Sequence, residues 1–399
     1  MNTQTKRLCE KPDVRPEDPR FSSGPCKKHP GWDLSNFYLN NLGRSHRAPI
    51  PKSRLQEAIT RSSELLGLPD DWQLAIVPAS DTGAFELALW SMLGHRGVDV
   101  FVWENFSSDW ANDIQAQLKI DDLNIYKADY GDLPDLNLAD PERDIVFVFN
   151  GTTSGVRVPN MNWISSIREG LVFCDATSAA FAMELDFKKM DVVTWSWQKV
   201  LGSEGGFGML ALSPKAIERL ESYQPSRPLP KIFRITKNGQ LTQGVFKGAT
   251  LNTPSMLALE DLHSALSWAE SIGGLPALIQ RCDDNFNVVN KWVVNSDWID
   301  WLPNEPETLS STSMCLKIVS KEFTSLSEDE QQIAIDQMCQ YLEEENIAYD
   351  IAAYRSAPTG FRLWGGATVE SSDLEKLLPW LDWVFKRWLS ESSKMEQAK

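Results

Sequence analysis

The sequence predicts an α/β protein with a large domain built on a mostly parallel sheet and a smaller α+β C-terminal domain. Three observations lead there. Short apolar, β-rich runs alternate with helical patterns between residues 32 and 230, as in a sheet layered with helices. Two long helical patterns follow, then a strand and further amphipathic helices. The 399 residues also exceed the length at which one core usually stops growing, so two packed units are expected.

The elements follow in chain order. Residues 1–20 are polar, contain prolines, show no periodicity and read as a flexible tail. Next come WQLAIVPA and FELALWSMLG, VDVFVWE and DWANDIQAQLKI, and DIVFVFNG and NWISSIREG, each pair read as a strand and then a helix. LVFCDATS, DVVTWSW and GMLALS read as three more strands. TPSMLALEDLHSALSWAESI and ALIQRCDDNFNVVNKWVVNS read as long helices, SMCLKIVS as a strand, and SEDEQQIAIDQMCQYLEEEN and SSDLEKLLPWLDWVFKRWLSES as helices. The division expected is a large domain over residues 21–270 and a small one over 271–399.

Composition excludes several classes of function. A net charge of −16 without any Lys/Arg-rich run repels phosphate backbones, so nucleic acid is not expected as a partner. No stretch has the length of a membrane helix and no secretory signal is recognisable, so a cytoplasmic protein without membrane contact is expected. The six cysteines are scattered, with no CxxC pair and no histidine at ligand spacing, which signals neither a metal site nor a disulfide framework. The 16 tryptophans call for large cores, interfaces or ligand platforms.

In DVVTWSWQKVLGSEGGFGMLALS, Lys199 falls just past a buried strand, and ligand sites of open α/β sheets lie at that edge. Glycines 202, 205, 206 and 208 would leave room for a flat group beside the amine. Most lysines at such a place simply reach solvent. Asp175, 24 residues upstream in GLVFCDATSAA, decides otherwise, because a carboxylate ending an apolar strand is costly unless a cation meets it. Together the two fit pyridoxal 5′-phosphate chemistry, in which a lysine holds the aldehyde and an acid keeps the ring nitrogen protonated. An anion cradle is also present: VPASDTGAFELALW gives a strand, then Ser80 to Gly83, then a helix start whose N–H groups can bind phosphate. It matches neither GxxxxGK[ST] nor GxGxxG. A second helix start, LNTPSML, puts Asn252 and Thr253 before Pro254 at the first helical position.

Over nearly its whole length the sequence resembles the phosphoserine aminotransferase family, in the class V group of fold-type I pyridoxal-phosphate enzymes. The matching segments are FSSGP, SHR, FNGTTSGV, CDATSA, WSWQK and LNTP, in that order. The resemblance implies that Lys199 is the Schiff-base lysine and Asp175 the partner of the ring nitrogen. Trp110 would stack on the ring, Thr152 would bond its hydroxyl, and Asp81, Thr82 and Gln198 would form the phosphate cup. Asn252 and Thr253 would reach the cofactor of a neighbouring subunit, which implies a homodimer. For the substrate, Ser23, His46, Arg47 and Arg362 match the family's binding residues, and arginine suits a ligand with a carboxylate and a phosphate.

Two positions depart from the family. Thr82 stands where many members carry an arginine aimed at the substrate phosphate, and Arg355 stands about where a histidine is usual. Charge counting makes Arg355, helped by Arg44, the replacement cation. The reaction implied is ping-pong transfer of an amino group from glutamate to 3-phosphohydroxypyruvate, giving O-phospho-L-serine for serine biosynthesis, with the related substrate of vitamin B6 (pyridoxine) synthesis as a second role. The alternatives are an alanine–glyoxylate type transaminase, a cysteine desulfurase, or a non-catalytic member of the fold. A desulfurase needs a mobile nucleophilic cysteine and usually a stacking histidine, and a scaffold has no need of the Lys199 and Asp175 pair.

Overall fold

The computed structural model describes residues 10–397. Its frame is a seven-stranded sheet of β1 (Gln73–Pro78), β2 (Val98–Val102), β3 (Leu123–Lys127), β4 (Asp144–Val148), β5 (Val172–Asp175), β6 (Val192–Ser196) and β7 (Phe207–Leu212), in the order β1-β7-β6-β5-β4-β2-β3. Only β7 runs against its neighbours β1 and β6; every other pairing is parallel. Sequences such as DIVFV and VVTWS are buried along their whole length because helices and loops cover both faces of a parallel sheet. The register sets Asp175 between Val148 and Thr194, so three strand ends converge at one carboxyl edge.

Helices α1 (Pro49–Leu66), α2 (Ser80–Met92), α3 (Asn105–Asn112) and α4 (Pro214–Ser222) accompany this sheet, with a short hairpin of β8 (Thr236–Lys237) and β9 (Gln240–Leu241). Apolar on nearly all sides, α2 is buried accordingly. Two long helices, α5 (Met256–Ser271) and α6 (Gly274–Val294), lead to a three-stranded antiparallel sheet of β10 (Ile299–Trp301), β11 (Ser313–Ile318) and β12 (Phe361–Trp364). With it pack α7 (Lys321–Thr324), α8 (Glu328–Glu344) and α9 (Ser371–Gln397). Of the tryptophans, Trp103, Trp195, Trp197, Trp364 and Trp380 are fully buried, and Trp298 stacks on Phe385 at 4.2 Å. No described helix is long and apolar enough to cross a membrane.

Three expectations are corrected. The NWISSIREG segment is not a helix but a run of turns and bends. Local side chains bond the backbone instead: Asn160, two residues ahead of the segment, accepts from the N–H of Asn162 at 2.9 Å, and the Ser165 hydroxyl donates to the Ile167 carbonyl at 2.6 Å. The tail expected to be flexible is pinned where it is described, over residues 10–20, whereas residues 1–9 lie outside the described part. Arg15 pairs with Glu345 at 2.8 Å, the Glu17 N–H donates to Asp373 at 2.7 Å, and Trp380 donates to the Val14 carbonyl at 2.8 Å. Such partners lie more than 300 residues away, where no local pattern reveals them. Thirdly, α5 starts at Met256 with Ser255 as its cap, accepting from Ala258 at 3.2 Å, so Asn252, Thr253 and Pro254 precede the helix.

One ion pair ties α4 to the sheet interior. Arg219 meets the fully buried Asp144 at 2.8 Å. Arg219→Ala strands that carboxylate, so we expect a loss of about 3–5 kcal/mol, read as a lower urea midpoint; an unchanged midpoint would show the pair to be dispensable.

Candidate active site

Loops after β1, β4, β5 and β6 close around a cavity of about 120 Å³ at the carboxyl edge of the sheet. Ser80, Asp81 and Thr82 enter from the start of α2, and Phe106 and Trp110 from α3. Val148 ends β4 and Thr152 follows it, Asp175 ends β5 and Thr177 follows it, and Ser196 ends β6 with Gln198 and Lys199 just beyond. Ala79 and Ser80 turn through left-handed backbone (φ 70° and 53°), which re-aims the chain from β1 into α2. The role expected of glycines 202 and 208 differs. A Cβ at Gly208 would lie 2.2 Å from the Ser80 carbonyl oxygen, and one at Gly202 2.2 Å from that of Lys27, so they permit backbone packing. Gly24 is the glycine beside the amine: its Cβ would lie 2.5 Å from Lys199 Nζ.

Lys199 is partly buried and donates from Nζ to the Ser23 carbonyl at 2.6 Å. Ser23 thus meets the site through its backbone rather than through the hydroxyl a sequence reading would choose. Loss of hydration holds the Lys199 amine below the ordinary lysine range, with the Arg362 charge acting in the same direction and Cys26 against it. Asp175 is buried, accepting from the Trp110 indole N–H at 3.0 Å and from the Thr177 N–H at 3.0 Å. Trp110 also packs on Phe85, with ring centres 4.9 Å apart.

Asp81 lines the cavity beside Thr82 and Gln198, the residues expected with it around a phosphate. Its carboxyl is buried and is pushed well above the usual carboxylate range, first by burial and then by the charge of Asp175. Ionised, this carboxyl would repel a phosphate, and the shift toward its neutral form works against that repulsion. The cavity wall holds further polar atoms without partners: Asp81 Oδ1, Thr177 Oγ1, Ser196 Oγ and Gln198 Oε1. Each such orphan costs about 1–3 kcal/mol unless a ligand satisfies it. Their clustering around one amine and one carboxylate is what a polar, partly anionic cofactor would complete. The Thr152 hydroxyl donates to Ser178 at 2.8 Å and keeps acceptor capacity toward the cavity.

Behind this wall lies Glu104. Its carboxylate accepts from the Ser107 N–H and the Thr153 hydroxyl, each at 2.7 Å, yet burial pushes it up to about 7. Between pH 4.5 and about 7 the folded chain therefore holds a proton the unfolded chain releases, and this group's contribution to stability falls as pH rises through that window. We expect Glu104→Gln to flatten the fall of Tm with pH there; an unaltered slope would assign it to other groups.

The substrate residues divide. Arg362 lies on β12 opposite Cys315, with Nε buried and unpartnered. Its guanidinium is 5.6 Å from the Tyr354 ring, that of Arg355 is 5.8 Å from the same ring, and Tyr354 meets Phe106 of the cavity at 5.8 Å. Both arginines are thereby collected at one rim. His46 is buried and Arg44 and Arg47 exposed ahead of α1, and none of them lines the cavity of its own chain. Nor do Asn252 and Thr253. Sequence reasoning passed over Phe106, Thr177, Ser196, Gly24, Glu104 and Tyr354; Thr177 and Ser196 were detectable as polar residues at the ends of the strands that carry Asp175 and Lys199.

The class V aminotransferase description matches residues 112–337. Phosphoserine aminotransferases from Methanosarcina barkeri and Methanosarcina mazei are each 54% identical over 375 residues, covering 94% of this chain and 99% of theirs. The chain belongs to the class V aminotransferases. The fold of this class V aminotransferase also matches solved structures. Phosphoserine aminotransferases from Cytophaga hutchinsonii and Bacillus circulans subsp. alkalophilus align with TM-scores of 0.74 at 18% identity, covering 91% and 93% of this chain and 97% and 98% of theirs. A PLP-bound phosphoserine aminotransferase from Trichomonas vaginalis aligns at 0.74 with 15% identity, covering 92% of this chain and 99% of its own.

Proposed function

We propose that this class V aminotransferase is a pyridoxal-phosphate-dependent phosphoserine transaminase, moving an amino group from glutamate to 3-phosphohydroxypyruvate in cytoplasmic serine biosynthesis. The observation that carries this is the convergence of Lys199 and Asp175 on one cavity whose remaining polar atoms await a ligand. The extent of identity to curated phosphoserine aminotransferases supports the substrate. Pyridoxal phosphate supplies an aldehyde and an electron-withdrawing ring. Lys199 would hold the aldehyde, Asp175 the ring nitrogen, Trp110 the ring face and Thr152 the ring hydroxyl, while Thr82, Gln198, Ser196 and the α2 N-terminus would hold the phosphate.

The chain's own groups then divide the work. With its pKa lowered, Lys199 Nζ is free base more often than an exposed lysine and can take and return the proton on the substrate Cα. Asp175 stays oriented by Trp110 and Thr177 as the fixed negative charge. Arg362 and Arg355 bind the substrate anions. Among the described cysteines, Cys26 is buried and pushed up to about 12, which gives a desulfurase reading no activated thiol there.

A homodimer completes the site in this reading. Trp32, Leu34, Tyr38, Leu39, Leu42 and Ile50 are all exposed within one short segment, and Leu257 is exposed at the start of α5. These are the stretches that carry His46, Arg47, Asn252 and Thr253, which do not line the cavity of their own chain. Covered by a second copy, they would serve its cavity.

The test is a spectrophotometric assay of the purified protein with phosphoserine and 2-oxoglutarate against alanine and glyoxylate. Turnover with the first pair alone supports the reading, and preference for the second overturns it. Arg362→Ala should raise the phosphoserine KM by about 10–100-fold, the scale of a charge-assisted, bidentate contact. Arg355→Ala should raise it less, because its side chain is exposed; an unchanged KM would remove Arg355 from the clamp.

A further inference from the structure

A second cleft, of about 660 Å³ and sharing no lining residue with the Lys199 cavity, lies between the loops that follow β4 and β5 and helix α6. Arg157 lines it. Among the described residues three arginines bury Nε without a partner: Arg157, Arg168 and Arg362. Arg168 is paired through Nη2 with Asp191 at 3.0 Å, and Arg362 belongs to the substrate rim. Arg157 is left with neither an ion pair nor a side-chain hydrogen bond among the described residues, and burial holds its pKa below the ordinary arginine range. The Arg157 side chain is partly buried, and its Nε, shut off from water, meets no acceptor within the protein, an unsatisfied donor that points to a ligand in the cleft.

The rest of the lining narrows the chemistry. Glu184, Asp186 and Asp283 face the same space, so a free phosphate or dicarboxylate would meet three carboxylates and one cation. The ligand must therefore bring positive charge as well as negative. Asp283 feels the Arg157 charge yet forms no ion pair with it, which leaves room for a group between them. Phe149, Met161, Met183 and Phe286 supply an apolar wall. We propose that this cleft binds a zwitterionic α-amino acid with an apolar side chain: carboxylate on Arg157, ammonium toward Asp283, side chain on the Phe149 and Met161 wall. The loops that line it lead back to Thr152 and Asp175, so an occupant would adjoin the elements that shape the active site.

Isothermal titration of the cofactor-loaded protein with L-leucine tests this, with 4-methylpentanoate (no ammonium) and 3-methylbutylamine (no carboxylate) as controls. We expect saturable L-leucine binding with a Kd of about 1 mM or tighter, and at least about tenfold weaker binding of either control. Arg157→Leu and Asp283→Asn should each raise the L-leucine Kd by about tenfold or more, corresponding to one lost charged contact. Arg362→Ala should leave it unchanged. If Arg157→Leu does not fold, Arg157→Lys and Asp283→Asn decide, since an unaltered Kd in Asp283→Asn is already contradictory. Absence of saturable binding, equal binding of 4-methylpentanoate, or loss of binding in Arg362→Ala overturns the proposal, the last by placing the ligand at the substrate rim.

Discussion

Lys199→Ala is expected to lower kcat by at least about 10⁴-fold, the upper range for one positioned general base, and to remove the near-visible absorption of the lysine-bound cofactor from the same sample. The two effects share a cause. The amine is held at 2.6 Å from the Ser23 carbonyl, beside Gly24, where a side chain would collide with it. Its lowered pKa, due chiefly to lost hydration, frees the lone pair both for bonding to an aldehyde and for taking a proton. Alanine removes both capacities and, beyond the bond to the Ser23 carbonyl, leaves the secondary structure's own hydrogen bonds in place, so far-UV circular dichroism should be unchanged. A variant that kept its absorption or more than a few per cent of its turnover would place the chemistry on another lysine.

The second large effect is expected at Asp175. Asparagine there keeps an oxygen for one of the two donors, Trp110 Nε1 or the Thr177 N–H, so the geometry is nearly conserved while the negative charge is lost. Removing one preorganised charge partner in a low-dielectric site costs on the order of 10²–10³ in kcat. Asp81 qualifies this number. Part of its raised pKa comes from the Asp175 charge, so once that charge is gone Asp81 ionises more readily and can replace some of it. The Asp81→Asn, Asp175→Asn double variant should therefore fall further than the product of the two single losses. Simple multiplicativity would mean that the two carboxyls do not share a proton balance.

Legibility in the sequence followed the range of the interactions. Lys199 and Asp175 could be read because each ends an apolar run that is long enough to be a buried strand, and a charge at that point is conspicuous. The register that sets Asp175 beside Thr194 is a property of the folded sheet and not of either run alone. NWISSIREG misled because its apolar spacing suits a helix, while Asn160 and Ser165 turn the backbone on themselves. The start of α5 is ambiguous in the sequence because Thr253 and Ser255 are both good caps, and only the bond from the Ala258 N–H to the Ser255 hydroxyl decides between them. The coupling of Asp81 to Asp175 is a tertiary fact, set by how α2 lies on the sheet. The docking of residues 10–20 on α8 and α9, the Ser23 carbonyl under the amine, and Tyr354 between two arginines likewise depend on partners far along the chain.

Borohydride reduction of the pyridoxal-phosphate-loaded protein, followed by peptide mapping, bears most directly on the site. We expect a single phosphopyridoxyl group on the peptide that contains Lys199, formed in wild-type protein and missing from Lys199→Ala. A modification at any other lysine, or none at all in protein that is active, would contradict the assignment of this amine.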